Sequence, residues 1–388
     1  MNKKPNILFI ASWYPNKYQT SNGDFIQRHA KAVSRFCNVS VIHVFAAKQK
    51  EKYISERTQN ETLNEIRVYH KKISFKIPLI SQIINYRRKM KAYKKAYKIH
   101  RETAPKPDAV HLNVFYFGGI FALYLKQKFN IPFIVTEHWT KFLPSSPKRF
   151  NFFESLIIRR TAKHASYICP VSHDLKKALQ NFGINGSFQV IPNVTDTEHF
   201  KYKQKSKKKP VIEVLHASHM GNKHKNITGI LNALKAVSEY RQDIIIRFLG
   251  SEDTTEYQQY ANTIGLPENM YEFLGKVSYE EVAETMNAHD AFLMFSNYEN
   301  LPCVISEAHV SGLPVISSDV GGISEMTDES NGILVQARNE PELAKAILNL
   351  TEKLDTYDRK HISQVAEKRY SYENVGRQYT ELYKKIII

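Results

Sequence analysis

Cysteine is scarce in this 388-residue chain: Cys37, Cys169 and Cys303 are odd in number and far apart. They form no disulfide framework and no zinc-finger spacing with histidine, so a reducing cytosol is the expected setting. Long apolar runs are also missing. The first, near the amino terminus, ends after about five residues, short of the roughly 7–15 of a signal-peptide core. The longest, Val114–Leu125, has 12 residues with two glycines inside, too few for the roughly 20 that span a bilayer. No G-x-G-x-x-G follows the first apolar run, and no G-x-x-x-x-G-K-[ST], H-E-x-x-H or G-x-S-x-G occurs. NAD enzymes of the Rossmann type and P-loop NTPases are thereby disfavoured.

Acid is scarce in one half only. Residues 1–195 carry 33 basic and 10 acidic side chains, net +23, whereas residues 196–388 carry 22 and 28, net −6, giving +17 in all. Two domains of about 190 residues would each bury a substantial core. A hydrophobic fraction of 42% with 24% charged residues is that of a globular protein.

Short apolar runs alternate with helical patterns through both halves. Asn6–Ala11, Asn38–Phe45, Ala109–Asn113 and Phe133–Glu137 read as strands, with helices near Asp24–Arg35, Ile80–His100 and Gly118–Phe129. Residues 196–209 form a basic linker, densest at 203–209, and Pro210 follows. The alternation then restarts with strands from Val211, Ile244, Tyr271, Ala291, Pro314 and Gly332 and helices at Asn226–Glu239, Tyr279–Ala288, Pro302–Val310 and Glu340–Leu354. Such alternation implies right-handed crossovers and parallel sheets. The expectation is an α/β protein with two Rossmann-like doubly wound domains, 1–195 and 210–371, facing across a cleft. A last helix at 372–388 is expected to pack back on the first domain.

The most informative stretch is Phe292–Glu325, read as strand, loop, helix, strand and glycine-rich loop. Pro302 suits a first helical position, where its missing N–H costs nothing. The free amides of Cys303 and Val304 would then face the cleft as an anion site. Glu307 lies five residues on, about 7.5 Å along the axis. There its carboxylate suits two ribose hydroxyls while a diphosphate occupies the helix start. Glu299 would reach the other side of the diphosphate, where a sugar hangs.

Glu299 and Glu307, separated by seven residues, are followed by Glu307-Ala-His-Val-Ser-Gly-Leu-Pro-Val-Ile and Gly321-Gly322-Ile323-Ser324-Glu325. This resembles the retaining glycosyltransferases of family 4, which have the GT-B fold. The spacing alone is not specific, since Glu272 and Glu280 share it without such surroundings. Val190-Ile191-Pro192-Asn193-Val194 resembles the family's domain-crossing phrase, and Ser12-Trp13-Tyr14-Pro15 with Gly23-Asp24-Phe25 its first-strand loop. The resemblance implies that Gly23 lets the backbone approach the diphosphate. It implies that Lys225, starting a helix with Asn226, neutralises the leaving group, and that Asn300, Leu301, Pro302, Cys303, Val304 and Glu307 hold the donor. Two positions depart from the family's pattern. His219 stands where an arginine is common, with Lys223 nearby, and Asn300 stands where a glycine is common, left-handed angles being open to asparagine. His138, ending a strand, matches a histidine that contacts the donor sugar; a structural histidine is the plainer reading. Glu325 is expected either to touch the ligand or to cap a turn.

The resemblance implies transfer of a hexosyl-type sugar, with retention, from a UDP- or GDP-sugar to an acceptor hydroxyl. Glu299, Lys225 and His138 would be the catalytic groups. No D-x-D triplet occurs, in keeping with a family that uses no metal, so neither metal nor other cofactor is expected. Family proposals let the leaving phosphate oxygen deprotonate the acceptor, so no protein nucleophile is required. Alternatives are an epimerase or phosphorylase on the same fold, an inactive scaffold, or a nucleic-acid-binding protein. The last has charge in its favour but no RNP, KH or helix-turn-helix signature, and no nucleic-acid partner is expected.

The basic half would hold the acceptor. Lys71–Arg101 contains 11 basic residues and no acid. On a helix Arg87, Lys91, Lys94 and Lys98 share one face, and Tyr86, Met90, Tyr93 and Tyr97 another. A second cluster mixes Lys148 and Arg149 with Phe150, Phe152 and Phe153 and runs to Arg159-Arg160. Packed tyrosines under solvated lysines would explain the stripe, but not the missing acids. Anionic membrane surface and a saccharide or lipid-linked acceptor, a cell-envelope polysaccharide precursor, are the expected partners. The expected place is the cytoplasm, peripheral on the inner membrane.

Overall fold

The computed structural model describes residues 4–204, 210–250 and 253–387. The end of the expected linker, 205–209, lies outside the described residues. Apolar runs such as Asn6–Ala11 are buried along their whole length, and a strand covered on both faces pairs in parallel with helices above and below.

The first sheet contains β1 (Asn6–Ala11), β2 (Asn38–Ala47), β3 (Tyr53–Gln59), β4 (Leu63–Lys71), β5 (Ala109–Asn113), β6 (Phe133–Glu137) and β7 (Tyr167–Pro170). Their order is β3-β4-β2-β1-β5-β6-β7. The second contains β8 (Ile212–Ala217), β9 (Ile244–Leu249), β10 (Tyr271–Gly275), β11 (Ala291–Met294), β12 (Val315–Ser318) and β13 (Gly332–Val335), in the order β10-β9-β8-β11-β12-β13. All pairings in the second sheet are parallel. In the first, β3 runs antiparallel to β4 at the edge.

That edge hairpin departs from the all-parallel expectation. Its outer strand, Tyr-Ile-Ser-Glu-Arg-Thr-Gln, is mostly exposed. Edge strands often carry charge, which hides the apolar signal a buried strand gives.

Helices Pro78–Thr103, Phe115–Phe129 and Phe152–His164 cover one face of the first sheet, burying Tyr93, Phe121 and Ile158. Helix Asp24–Ser34 and the final helix Tyr372–Ile386 cover the other. The final helix inserts Tyr379 and Tyr383 into the first domain. The Tyr383 hydroxyl lies 2.6 Å from His111 Nδ1, and Thr136 Oγ1 bridges His111 Nε2 and the Tyr379 hydroxyl at 2.6 and 3.0 Å. These four buried polar side chains thus satisfy one another, as burial demands. Of the expected tyrosine stripe, Tyr93 and Tyr97 are buried but Tyr86 is exposed.

Candidate active site

Ligands of doubly wound folds bind beyond the carboxyl ends of the parallel strands, and here those ends meet. The loops after β1, β6 and β7 face those after β8, β11 and β12. At the centre is helix Cys303–Val310. Pro302 is its N-cap, with φ −71° and ψ 122°, and not its first residue. Its extended ψ places it just outside the helix, while its carbonyl accepts from Ile305 N at 3.2 Å. The helix still opens on the amides of Cys303 and Val304.

Glu299, on the loop before this helix, is buried and bonded to the equally buried Lys225 at 2.5 Å. His224 Nε2 lies 3.3 Å from the same oxygen and 2.7 Å from the Tyr298 carbonyl. Burial works against the Glu299 charge, but Lys225 and His224 outweigh it and hold the carboxyl down to about 2. Lys225 does not start the long helix. It ends a single turn, Asn222–Lys225, after which Asn226 turns left-handed at φ 52° and Ile227–Ser238 begins. Asparagine tolerates that angle, so the chain breaks there and aims Lys225 inward.

His219 does not reach Glu299 itself. Its Nε2 lies 3.0 Å from His224 Nδ1, and burial together with the Lys225 charge lowers its pKa. At neutral pH it is therefore an uncharged link, not a second cation. Lys223 is exposed.

Glu307 is buried and faces the opposite domain, where Arg28 Nη1 of helix Asp24–Ser34 bonds its Oε1 at 2.6 Å. The same nitrogen donates to the Tyr279 hydroxyl at 3.0 Å, and Nη2 pairs with Asp24 at 3.1 Å. Burial pushes the Glu307 carboxyl above its ordinary range against the pull of Arg28. Arg28 Nε is buried without a partner among the described residues. A sequence carries no sign of this pair, because Arg28 and Glu307 lie 279 positions apart.

Asn300 does not adopt left-handed angles. Its side chain instead joins the domains, accepting from Ser172 Oγ at 3.1 Å and donating to the His138 carbonyl at 2.9 Å. A glycine could make neither bond. The Leu301 carbonyl accepts from Asn193 Nδ2 at 2.8 Å, and Ser306 Oγ meets Thr195 Oγ1 at 2.6 Å. Gly321, at φ +60°, sits under the Glu299 carbonyl, which a Cβ would approach to 2.1 Å. Glu325 caps a helix, but one of the opposite domain: its two oxygens accept from His173 N and Asp174 N, each at 2.8 Å. Glu325→Ala is expected to weaken this contact by about 0.5–2 kcal/mol, the range for a lost cap. Small-angle scattering of the ligand-free protein should then show a larger radius of gyration, and an unchanged radius would remove Glu325 from the closure.

His138, directly after β6, has a buried ring stacked on His29 at 5.3 Å and tilted against Phe25 at 4.8 Å. Burial drives its pKa far down, so it is neutral. Both ring nitrogens lack a partner within hydrogen-bond range among the described residues, although the Asn193 amide is close by. Gly23 caps helix Asp24–Ser34 at φ 77°. A Cβ there would lie 2.3 Å from the Trp13 carbonyl carbon, so the loop after β1 needs glycine for its own packing. Among the described residues no group of three or more His, Cys, Asp or Glu side chains is placed to hold a metal ion.

The buried glutamates, the lysine on the first of them and the helix start between them coincide with two family matches. Residues 25–199 match the description "Glycosyltransferase Family 4" and residues 212–353 "Glycosyl transferases group 1". The chain belongs to these group 1, family 4 glycosyltransferases. A curated relative is the putative teichuronic acid biosynthesis glycosyltransferase TuaC of Bacillus subtilis, 23% identical over 251 residues. That match covers 62% of this chain and 60% of the relative, so the chain spans about three fifths of its length. Among solved structures, sucrose-phosphate synthase from Thermosynechococcus elongatus superposes with a TM-score of 0.78 at 18% identity, covering 99% of both chains. Anabaena HepE in complex with UDP gives 0.70 at 18%, over 98% of this chain and all of the other. The family 4 chain therefore has the GT-B fold.

Proposed function

We propose that this protein transfers a hexosyl-type sugar, with retention and without a metal, from a UDP- or GDP-sugar to a hydroxyl of a lipid-linked or cell-envelope polysaccharide precursor. The observation that carries the reading is the buried Lys225–Glu299 pair beside the start of helix Cys303–Val310, with Glu307 about one turn further on. A diphosphate at the helix start would meet amide donors and the positive end of the helix dipole. Lys225 would exchange Glu299 for the phosphate as negative charge grows on the leaving group. Released from Lys225, the Glu299 carboxylate would orient sugar hydroxyls. The neutral His138 ring, enclosed beside the Asn193 amide, would reach the sugar from the acceptor domain once donor binding opens that contact.

Donor binding also requires Arg28 to leave Glu307 if the ribose is to use that carboxylate. Supporting the donor class, HepE was solved with UDP; supporting the acceptor class, the name of TuaC places it in teichuronic acid biosynthesis. The free cysteines fit a cytoplasmic setting, with the acceptor at the inner membrane.

The test is a panel of UDP-, GDP- and ADP-sugars, scored by calorimetry and by slow hydrolysis. Binding of one nucleotide class, with hydrolysis to the retained sugar, is expected. Binding of none would overturn the donor reading, and a free isomerised sugar nucleotide as product would replace transfer by epimerisation.

A further inference from the structure

The amino end of helix Phe152–His164 is apolar and unprotected. Phe152, Phe153 and Leu156 are 76%, 74% and 56% exposed, a concentration of large apolar side chains that needs a partner to be hidden from water. The helix is nonetheless well anchored. Asn151 and Glu154 form a capping box, Glu154 also pairs with Lys141 at 2.8 Å, and Ile158 and Ala162 are buried against the sheet. The exposed residues are thus held outward by a fixed element.

A second exposed apolar group, Phe75, Ile77, Ile80, Ile83 and Tyr86, surrounds the start of helix Pro78–Thr103. Both helices leave the same edge of the first sheet, the one that faces the cleft. Tyr116 is close enough to both Tyr86 and Glu154, one from each helix, to feel their charge. From Tyr116 an aromatic path leads inward: Phe117 at 5.4 Å, then Trp139 at 5.3 Å, the residue next to His138.

Cations ring this rim. Lys76, Arg87, Lys148, Arg149, Arg159 and Arg160 are all exposed. From Lys71 to Arg101 there is no acid, and from Lys141 to Arg160 the one acid is Glu154, already engaged. Arg160 lies two turns behind Phe152, about 12 Å along the axis. An apolar tip with cations that far behind it matches an acyl boundary with anionic headgroups above.

We infer that this rim is a docking surface for an anionic lipid bilayer, with Phe152, Phe153 and Leu156 entering the acyl boundary. The inference rests on the proposed function in one respect: it lets a lipid-linked acceptor keep its chain in the membrane while its saccharide reaches His138 along the Tyr116–Phe117–Trp139 path. Among the described residues no helix is long and apolar enough to cross a membrane.

The test is co-sedimentation of the full chain with vesicles of phosphatidylcholine containing 30% phosphatidylglycerol, and with phosphatidylcholine alone. Binding to the anionic vesicles, weakened by salt, is expected, with little on the neutral ones. The triple variant Phe152→Ala/Phe153→Ala/Leu156→Ala should lower partitioning by about tenfold or more, as should Lys148→Glu/Arg160→Glu. Both should leave the melting temperature and nucleotide-sugar affinity unchanged, since the altered side chains are exposed and remote from Glu299. Absence of vesicle binding, equal binding to neutral vesicles, or full binding by the triple variant would overturn the inference. So would concentration-dependent self-association abolished by the triple variant without lipid binding, which would make the rim a protein interface. Donor binding without vesicle binding would sink this inference alone, and vesicle binding without donor binding would sink the proposed function alone.

Discussion

Lys225→Ala is expected to reduce turnover by about 10²–10³-fold, the usual effect of removing one preorganised charge from a developing anion, while the donor KM changes far less. The same change leaves Glu299 buried beside His224 with its main counter-charge gone. Breaking a buried pair from one side costs about 3–5 kcal/mol, to be read from urea unfolding. The two effects separate in Lys225→Met/Glu299→Gln, which removes both charges. Stability should largely return and turnover should not. Retained turnover in Lys225→Ala would take the lysine out of the reaction.

The pair also carries a pH signature. Burial opposes the Glu299 charge, yet Lys225 and His224 hold its pKa at about 2, below the ordinary 4.5. A carboxyl with a lowered folded pKa contributes stability that is complete above about pH 4.5 and is lost as pH falls toward 2. Without Lys225, burial is opposed by His224 alone, so acid unfolding should begin at higher pH than in the wild type. An unshifted acid limb would show that Lys225 is not what keeps Glu299 ionised.

Glu307→Ala is expected to weaken nucleotide binding by about 10- to 100-fold. A carboxylate accepting hydroxyl hydrogen bonds contributes about 1.5–3 kcal/mol per bond, but here the ribose must first displace Arg28 from Glu307 Oε1, which offsets part of the gain. Arg28→Met should act in the opposite direction. With no guanidinium to displace, the buried Glu307 would take up the ribose hydroxyls more readily and the dissociation constant should fall. Calorimetry with the nucleotide diphosphate alone reads both variants. Equal weakening in both would mean that Arg28 holds the donor and does not compete with it.

Much of the fold could be read from residue order. Strands such as Ala109–Asn113 and Gly332–Val335 and helices such as Tyr279–Ala288 have the bounds their apolar patterns imply, because both sheet faces are buried and the period is plain. The β3–β4 edge escaped because β3 is polar and mostly exposed, and β4, although buried, interrupts its apolar residues with Asn64, Glu65, Arg67 and His70. The site divided in the same way. Glu299 and Glu307 announce themselves through local context, flanking one helix start, whereas Lys225 is singled out only by the family resemblance. Arg28, His224 and Ser172 gave no local signal, because each acts through a partner from a distant loop.

The sequence by itself determined that two parallel-sheet domains would face each other, that a helix start flanked by two glutamates would lie between them, and that the first half would be strongly basic. Those features depend on periodicity, on turn chemistry and on counting charge, all local or additive. Only the tertiary structure decided what each charge faces. It set Lys225 on Glu299 and Arg28 on Glu307, reassigned Asn300 from a turn to a bridge, and gathered scattered phenylalanines into one exposed rim. Pairing, burial and exposure are properties of neighbours in space, and the chain's crossovers bring those neighbours from as far as 279 positions away.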